Sequence, residues 1–474
     1  MADSAHLKNT NGVSAGRSKS IVLVTALMLF SMFFGAGNLI FPPILGAQAG
    51  SNLTPAILGF LGTGVVLPVL AIIAIAISGQ DVSDLARRGG KIFGFLFPIL
   101  AYLSIGAFYA LPRTGAVSFS TAIQPLFGWD STIASVIFNF LFFAVALALA
   151  YNPHSIVDKL GKYLTPALLI LLAVLVSLVL VKFTPENLAP AENFQHAPFA
   201  GGLLQGYLTM DSIAALAFGI VVISSLKTLH AESLGSAPAT DERAHARWLV
   251  RSTIIAGVIA GVLLGIIYIG LGLVGRFIPN PGQYEDGAGI LSAAAGLTMG
   301  TTGQVIFGLI VLLACMTTAV GLIAATSEFF STLWPTVPYR TWAILFAIMS
   351  FGLASAGLDT VLAVAAPVIG FLYPAAITLV FLTLIEPLLG GKIRFRVAFR
   401  FAITVAVIWS LLMTFASLGW GTDVINQAIG WSPLHKLDLG WVLPTVIAWL
   451  VGLVVDIVRQ RDTAPRVVHE APAQ

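Results

Sequence analysis

Charge is what this chain has least of. Its 24 Lys and Arg and 21 Asp and Glu make up only 9% of 474 residues, against about 25% in an ordinary soluble domain. A soluble fold needs polar cover, and this composition cannot supply it. A surface facing lipid removes the need. Cysteine is nearly absent too. The single Cys315 excludes an intrachain disulfide, and one thiol builds neither a metal cluster nor a redox pair. His154, His230 and His245 fall in loops without metal-ligand spacing. There is no Walker loop, nucleophile elbow or HExxH helix, so an ATP-driven pump or membrane hydrolase would lack its usual chemistry. The chain reads as a non-enzyme without a bound cofactor. The net charge of +3 is small and sits at helix ends, which argues against a nucleic-acid partner.

What the chain has is apolar length. Hydrophobic residues make up 58%, with 46 Gly and 31 Phe. Glycine is tolerated in membrane helices and lets them approach closely. Stretches of the ~20 residues needed to cross a bilayer occur at 20–46, 52–78, 91–120, 131–151, 157–182, 200–226, 248–275, 304–332, 341–357, 361–386, 396–418 and 440–458. These predict an all-α membrane protein of twelve spans. A polar leader with Lys8, Arg17 and Lys19 precedes the first. That stretch is longer than a signal-peptide core and is read as a retained helix. The third contains Pro112 and Arg113 and is expected to tilt or end early. Segment 285–303 is too broken to span and suggests a re-entrant or external helix. The organisation predicted is a tail at 1–19, one transmembrane domain at 20–458 and a tail at 459–474.

Charge tests the count. With twelve spans both termini share a side, and 20 of the 24 basic residues fall there. Arg113, Lys182, Arg276 and Lys436 fall on the other, with Arg113 expected at the outer interface, or paired with a carboxylate if the third span tilts. This skew meets the positive-inside rule and places both termini in the cytoplasm, in the cell's inner membrane. The basic clusters themselves read as topology and lipid attraction.

Two spans look discontinuous. In the first, Gly35-Ala36-Gly37-Asn38 is followed by Pro42-Pro43, and a regular helix cannot pass through all of these without losing hydrogen bonds. Irregular backbone at such depth occurs only where it is buried in protein or lines a cavity. The competing reading is a glycine packing face. In the sixth, Thr209-Met210-Asp211 places an ionisable residue mid-span. Such residues face a cavity or a partner, or Asp211 caps the second half of a broken helix. Spans one and six are five apart, so two five-helix units would be inverted. Matched breaks in inverted halves mark a carrier's midplane site.

Thr317 and Thr318 in span eight offer hydroxyl oxygens for a hard monovalent cation, unless each bonds back to its own helix. Glu328, Glu386 and Asp456 lie near the cytoplasmic ends of their spans and are read as solvated or paired with basic residues.

The first span together with ALPRTGAVSF in span three and GYLTMDSIAALAFG in span six resembles the BrnQ-type branched-chain amino acid:cation symporters over essentially the whole chain. The resemblance implies the LeuT-like fold of five plus five inverted helices with two further C-terminal ones. It implies that Gly35, Ala36, Gly37 and Asn38 hold a substrate carboxylate, with Thr209, Met210 and Asp211 opposite. It also implies a Na⁺ site from Ala314, Thr317, Thr318 and the carbonyls of Ser31 and Phe34. Asn38 suits a second Na⁺ site, but Asp211 departs from the hydroxyl expected there. Met210, Ala214 and Leu322 are candidates to line the side-chain pocket.

The expected function is Na⁺-coupled uptake of leucine, isoleucine and valine, with the bilayer and no obligate protein as partner. Proton coupling through Asp211 is the alternative, and a channel or transport-like sensor the reading from a different class.

Overall fold

In the computed structural model, residues 20–78, 82–129, 131–151, 157–186, 188–217, 219, 223, 226, 242–284, 286–389 and 394–462 are described. The leader 1–19 and the tail from 463 lie outside them, as do His154, Lys227, His230 and Lys392. An apolar chain with no water along its flanks must satisfy its backbone internally. The described residues do so as helices, and no strand occurs among them.

Helices α1 (Ser20–Phe33) and α2 (Ala36–Ala49) occupy the first apolar stretch. The second holds α3 (Leu53–Leu61) and α4 (Leu67–Ser78), joined by one π turn at Gly62–Val66. After the short α5 (Val82–Arg87), the third path runs through α6 (Lys91–Leu103), α7 (Ala110–Ser118) and α8 (Gln124–Phe127). It does not end early. Instead, π turns at Ser104–Phe108 and Phe119–Ile123 interrupt it. Pro112 follows the first of these in the opening turn of α7, where it has no N–H for the carbonyl of Phe108.

Next come α9 (Thr132–Ala150), α10 (Val157–Lys182), α11 (Glu192–Gln195) and α12 (Pro198–Tyr207). The second half of the sixth stretch is α13 (211–217). The chain continues with α14 (Glu242–Phe277), α15 (Gly287–Leu333), α16 (Tyr339–Ser355) and α17 (Leu358–Leu388). It ends with α18 (Val397–Ser417), α19 (Thr422–Ile429) and α20 (Val442–Asp462). Among the described residues, eight helices of 18 or more residues are apolar enough to cross a membrane. The broken segment 285–303 is helical at its start, where the Asp286 side chain accepts from Gly289 N at 2.6 Å. A left-handed Gly300 (φ 70°) then kinks α15.

Glycine sets the closest contacts. A Cβ on Gly46 would stand 1.9 Å from the Gly272 carbonyl oxygen, and one on Gly275 the same distance from that of Pro43. α2 and α14 therefore meet backbone to backbone. One consequence corrects the sequence reading: Pro42 and Pro43 lie inside a continuous α2, so they are not the break. α3 and α12 meet in the same way, where a Cβ on Gly202 would lie 1.9 Å from the Ala56 oxygen.

Two carboxylates expected to be alike prove different. Glu386 pairs with Arg88 at 2.5 Å and accepts from Phe395 N at 2.8 Å. Asp456 is not solvated, and among the described residues it has no ion pair with a basic side chain. It is buried on α20 and accepts from the backbone N–H groups of Arg396, Val397 and Ala398 at 2.8–3.0 Å. A carboxylate from another helix thus satisfies the first donors of α18. Asp456→Ala is expected to cost roughly 3 kcal/mol of stability, seen as a lowered unfolding midpoint in detergent with substrate affinity unchanged in the folded fraction.

Candidate functional site

Both expected breaks are present. α1 ends at Phe33, Phe34 and Gly35 are non-helical, and α2 starts at Ala36. Phe34 is buried and stacks on Phe30 at 5.2 Å. In the sixth stretch α12 ends at Tyr207 and α13 begins at Asp211. Between them Met210 takes φ 64°, a left-handed conformation that costs a long side chain of order 1–3 kcal/mol. Its surroundings must hold it there.

Asn38 joins the two breaks. Its amide nitrogen donates to Asp211 Oδ2 at 3.0 Å and to the Tyr268 hydroxyl, while its Oδ1 accepts from Gly35 N at 3.3 Å. Tyr268, on α14, donates to the same Asp211 oxygen at 2.6 Å. Asn38, Asp211 and Tyr268 are all buried. Asp211 does not cap α13 with its carboxylate, as one reading allowed. It spends an oxygen on the opposite break instead. No ion pair to Asp211 forms among the described residues.

Arg113 is the largest departure from the sequence reading. It is not at an interface but 3% exposed. Its guanidinium donates to the carbonyls of Leu208 at 3.0 Å and Thr209 at 3.4 Å, the end of α12 and the link beyond it. A cation at a helix C-terminus meets the negative end of its dipole. Tyr109 adds a bond from its hydroxyl to the Leu208 oxygen at 2.6 Å and lies 4.4 Å from the guanidinium. The opposite side is Gly37, where a Cβ would fall 2.2–2.3 Å from the guanidinium atoms. Gly37 is therefore glycine because Arg113 occupies its side-chain space. Thr63, on the π turn of the second stretch, spans the same break: its hydroxyl donates to Leu203 O at 2.7 Å and its carbonyl accepts from Ser212 at 3.2 Å.

The remaining candidates divide. Thr318 faces the first break, its methyl 3.5 Å from where a Gly35 Cβ would stand. Thr317 and Thr318 both bond back to their own helix, to Leu313 O and Ala314 O at 3.0 Å. A hydroxyl that donates inward keeps acceptor lone pairs for a cation. Ser31 is half-buried in the last turn of α1, and Ala314 is half-buried on α15. Thr209 donates to Gly206 O at 2.9 Å. Met210 and Leu322 are buried and Ala214 half-buried; of Ala36 only the backbone position is described. No group of three or more His, Cys, Asp or Glu capable of holding a metal occurs among the described residues.

Tyr268, Tyr109 and Thr63 were missed as site residues. Tyrosine in an apolar run reads as an interfacial anchor, and nothing local distinguishes these. Arg113 carried one usable signal, its place directly after Pro112.

Solved structures share this architecture. Mhp1, a nucleobase-cation-symport-1 family transporter, aligns with a TM-score of 0.57 at 16% identity, over 94% of this chain and 93% of its own. A variant of the Eremococcus coleocola manganese transporter aligns at 0.52 and 14%, over 94% and 96%. At such identities the likeness speaks for fold alone, an arrangement of many packed helices. The chain belongs to the branched-chain amino acid transport protein family, whose profile matches residues 18–459. It is 56% identical to the branched-chain amino acid permease BrnQ of Corynebacterium glutamicum, over 93% of this chain and 96% of that one. It is 36% identical to the permease BrnQ of Bacillus subtilis, over 94% and 99%. It is a transporter and not an enzyme.

Proposed function

We propose that this protein carries leucine, isoleucine and valine into the cell by Na⁺ symport with alternating access, through twelve spans of which the first ten form inverted halves. Both termini would then lie in the cytoplasm, with the protein in the inner membrane. The observation that carries the reading is the junction of two broken helices through Asn38 and Asp211. The family and its permeases support the substrate class. The start of α2 has helix-terminal N–H groups for a carboxylate, and the carbonyls around the breaks suit an ammonium and a Na⁺. Thr318 facing Gly35 supports a cation site between α15 and the first break. Met210, Ala214 and Leu322 would line the side-chain pocket. One methylene is worth only about 1–3 kcal/mol there, so the three substrates should compete closely.

One Na⁺ crossing 100 mV supplies roughly 2.3 kcal/mol, and a tenfold gradient about 1.4 more, enough for several-hundred-fold accumulation. Proteoliposomes with an inward Na⁺ gradient are expected to concentrate leucine. Replacing Na⁺ with choline should abolish this, and Thr317→Ala with Thr318→Val should remove the Na⁺ dependence. Equal uptake in choline would sink the coupling. Proton coupling is the second reading, favoured by one feature: Asp211 is buried with two neutral donors, Asn38 and Tyr268, on its carboxylate and no ion pair among the described residues. Asp211→Asn would then abolish pH-driven accumulation.

A further inference from the structure

Away from the two breaks, a half-open cavity of about 580 Å³ lies between α6, α17 and α18. Its walls include Leu96 and Leu100 of α6, Phe371 of α17, and Thr404 and Val407 of α18. None of these takes part in the junction around Asn38. The rim is exposed and apolar, with Ile92, Leu96 and Ile408 all open, as a lipid-facing surface should be. From Lys91 to Leu100 the α6 wall rises about 14 Å at 1.5 Å per residue. That is close to half of the roughly 30 Å hydrocarbon core, the depth of one leaflet.

The two ends of the groove differ. One is lined by Gly89, Gly90 and Lys91. Gly90 is the N-cap of α6 and offers no side chain to its first N–H groups. Lys91 is exposed there. Arg400, also exposed, lies one turn before Thr404 on α18. α18 enters at this same end: a Cβ on Gly89 would touch Ile403, and Arg88 lies 3.9 Å over the Phe399 ring. The neighbouring charges are already balanced, Arg88 by Glu386 and the N–H groups of α18 by Asp456. Among the described residues Lys91 and Arg400 have no acidic partner. An open helix start and two unbalanced cations thus stand at the head of an apolar slot one leaflet deep.

We propose that this groove binds one anionic phospholipid. An acyl chain lies between α6, α17 and α18, and the phosphate is held by Lys91, Arg400 and the first N–H groups of α6. The test is native mass spectrometry of the purified full-length chain, incubated with equal amounts of phosphatidylglycerol and phosphatidylcholine of matched chains. Phosphatidylglycerol should be retained preferentially, one per chain. Lys91→Gln with Arg400→Gln should lower that preference by about 30-fold, from about 1 kcal/mol per charge. Thr404→Phe, on the exposed face, should obstruct the slot and lower retention of the lipid with its charges intact. Equal retention of both lipids by the unsubstituted chain would overturn the proposal, as would unchanged selectivity in the charge variant. Competition by glycerol phosphate as effective as by the whole lipid would show a free-anion site and reject the lipid. Size-exclusion elution confirms that each variant is folded.

Discussion

A Gly37→Ala chain is expected to reach the membrane and to take up leucine at least a hundredfold more slowly than the unsubstituted protein. The added methyl would stand 2.2 Å from the Arg113 guanidinium carbon, so one of the two must move. α2 is held by its backbone contacts with α14, and Arg113 is held by two carbonyls at the second break. Overpacking costs about 1–3 kcal/mol, and each hydrogen bond from a charged donor about 1.5–3. Their sum exceeds the roughly 2.7 kcal/mol that a hundredfold effect needs. Gly352 provides the control, since a Cβ there meets nothing within 4 Å and Gly352→Ala should transport normally. Labelled leucine uptake normalised to inserted protein decides the matter. Wild-type rates for Gly37→Ala would refute the role given to Arg113.

Asp211→Ala should be at least as damaging, and for a different reason. It removes the acceptor shared by Asn38 and Tyr268 and leaves their donors buried. Each unsatisfied group costs about 1–3 kcal/mol, and Arg113 loses the nearby carboxylate charge. Uptake should again fall by a factor of at least about a hundred. Tyr268→Phe removes one donor and keeps the acceptor, so its loss should be nearer tenfold. Asp211→Asn preserves shape but turns an amide towards two donors, and its residual uptake separates the coupling ions. A sodium carrier keeps its Na⁺ dependence at reduced rate, while a proton carrier loses accumulation driven by pH. If Asp211→Ala and Tyr268→Phe transport equally well, the bridge has no functional role.

The two breaks were legible because their causes are local. Gly35 and Gly37 beside Asn38 and the Asp211 carboxylate in an apolar run each violate a rule of membrane helices within a few residues. That Asn38 and Asp211 bond to each other was not legible, since they are 173 positions apart and no local pattern encodes the pairing. Arg113 was misplaced for the same reason. Sequence position put it near the end of a span, whereas its environment is set by carbonyls on α12 and by the missing side chain of Gly37. Pro42 and Pro43 misled in the other direction: α2 runs through both and packs its backbone there against Gly272 and Gly275 of α14, so a doublet that should stop a helix does not. Asp456 shows how a charge near a helix end can belong to the backbone of another helix.

The glycine contacts also decide what can move. α2 meets α14 and α3 meets α12 at distances that leave no room for a side chain. Surfaces interlocked at that range resist sliding, because any displacement drives one backbone into the other. Each broken helix therefore has one half fixed to a partner and one half, α1 or α13, without such a lock among the described glycines. Motion about Gly35 and Met210 would swing those two freer halves against a stationary frame, and each would turn about the residue that already departs from helical geometry.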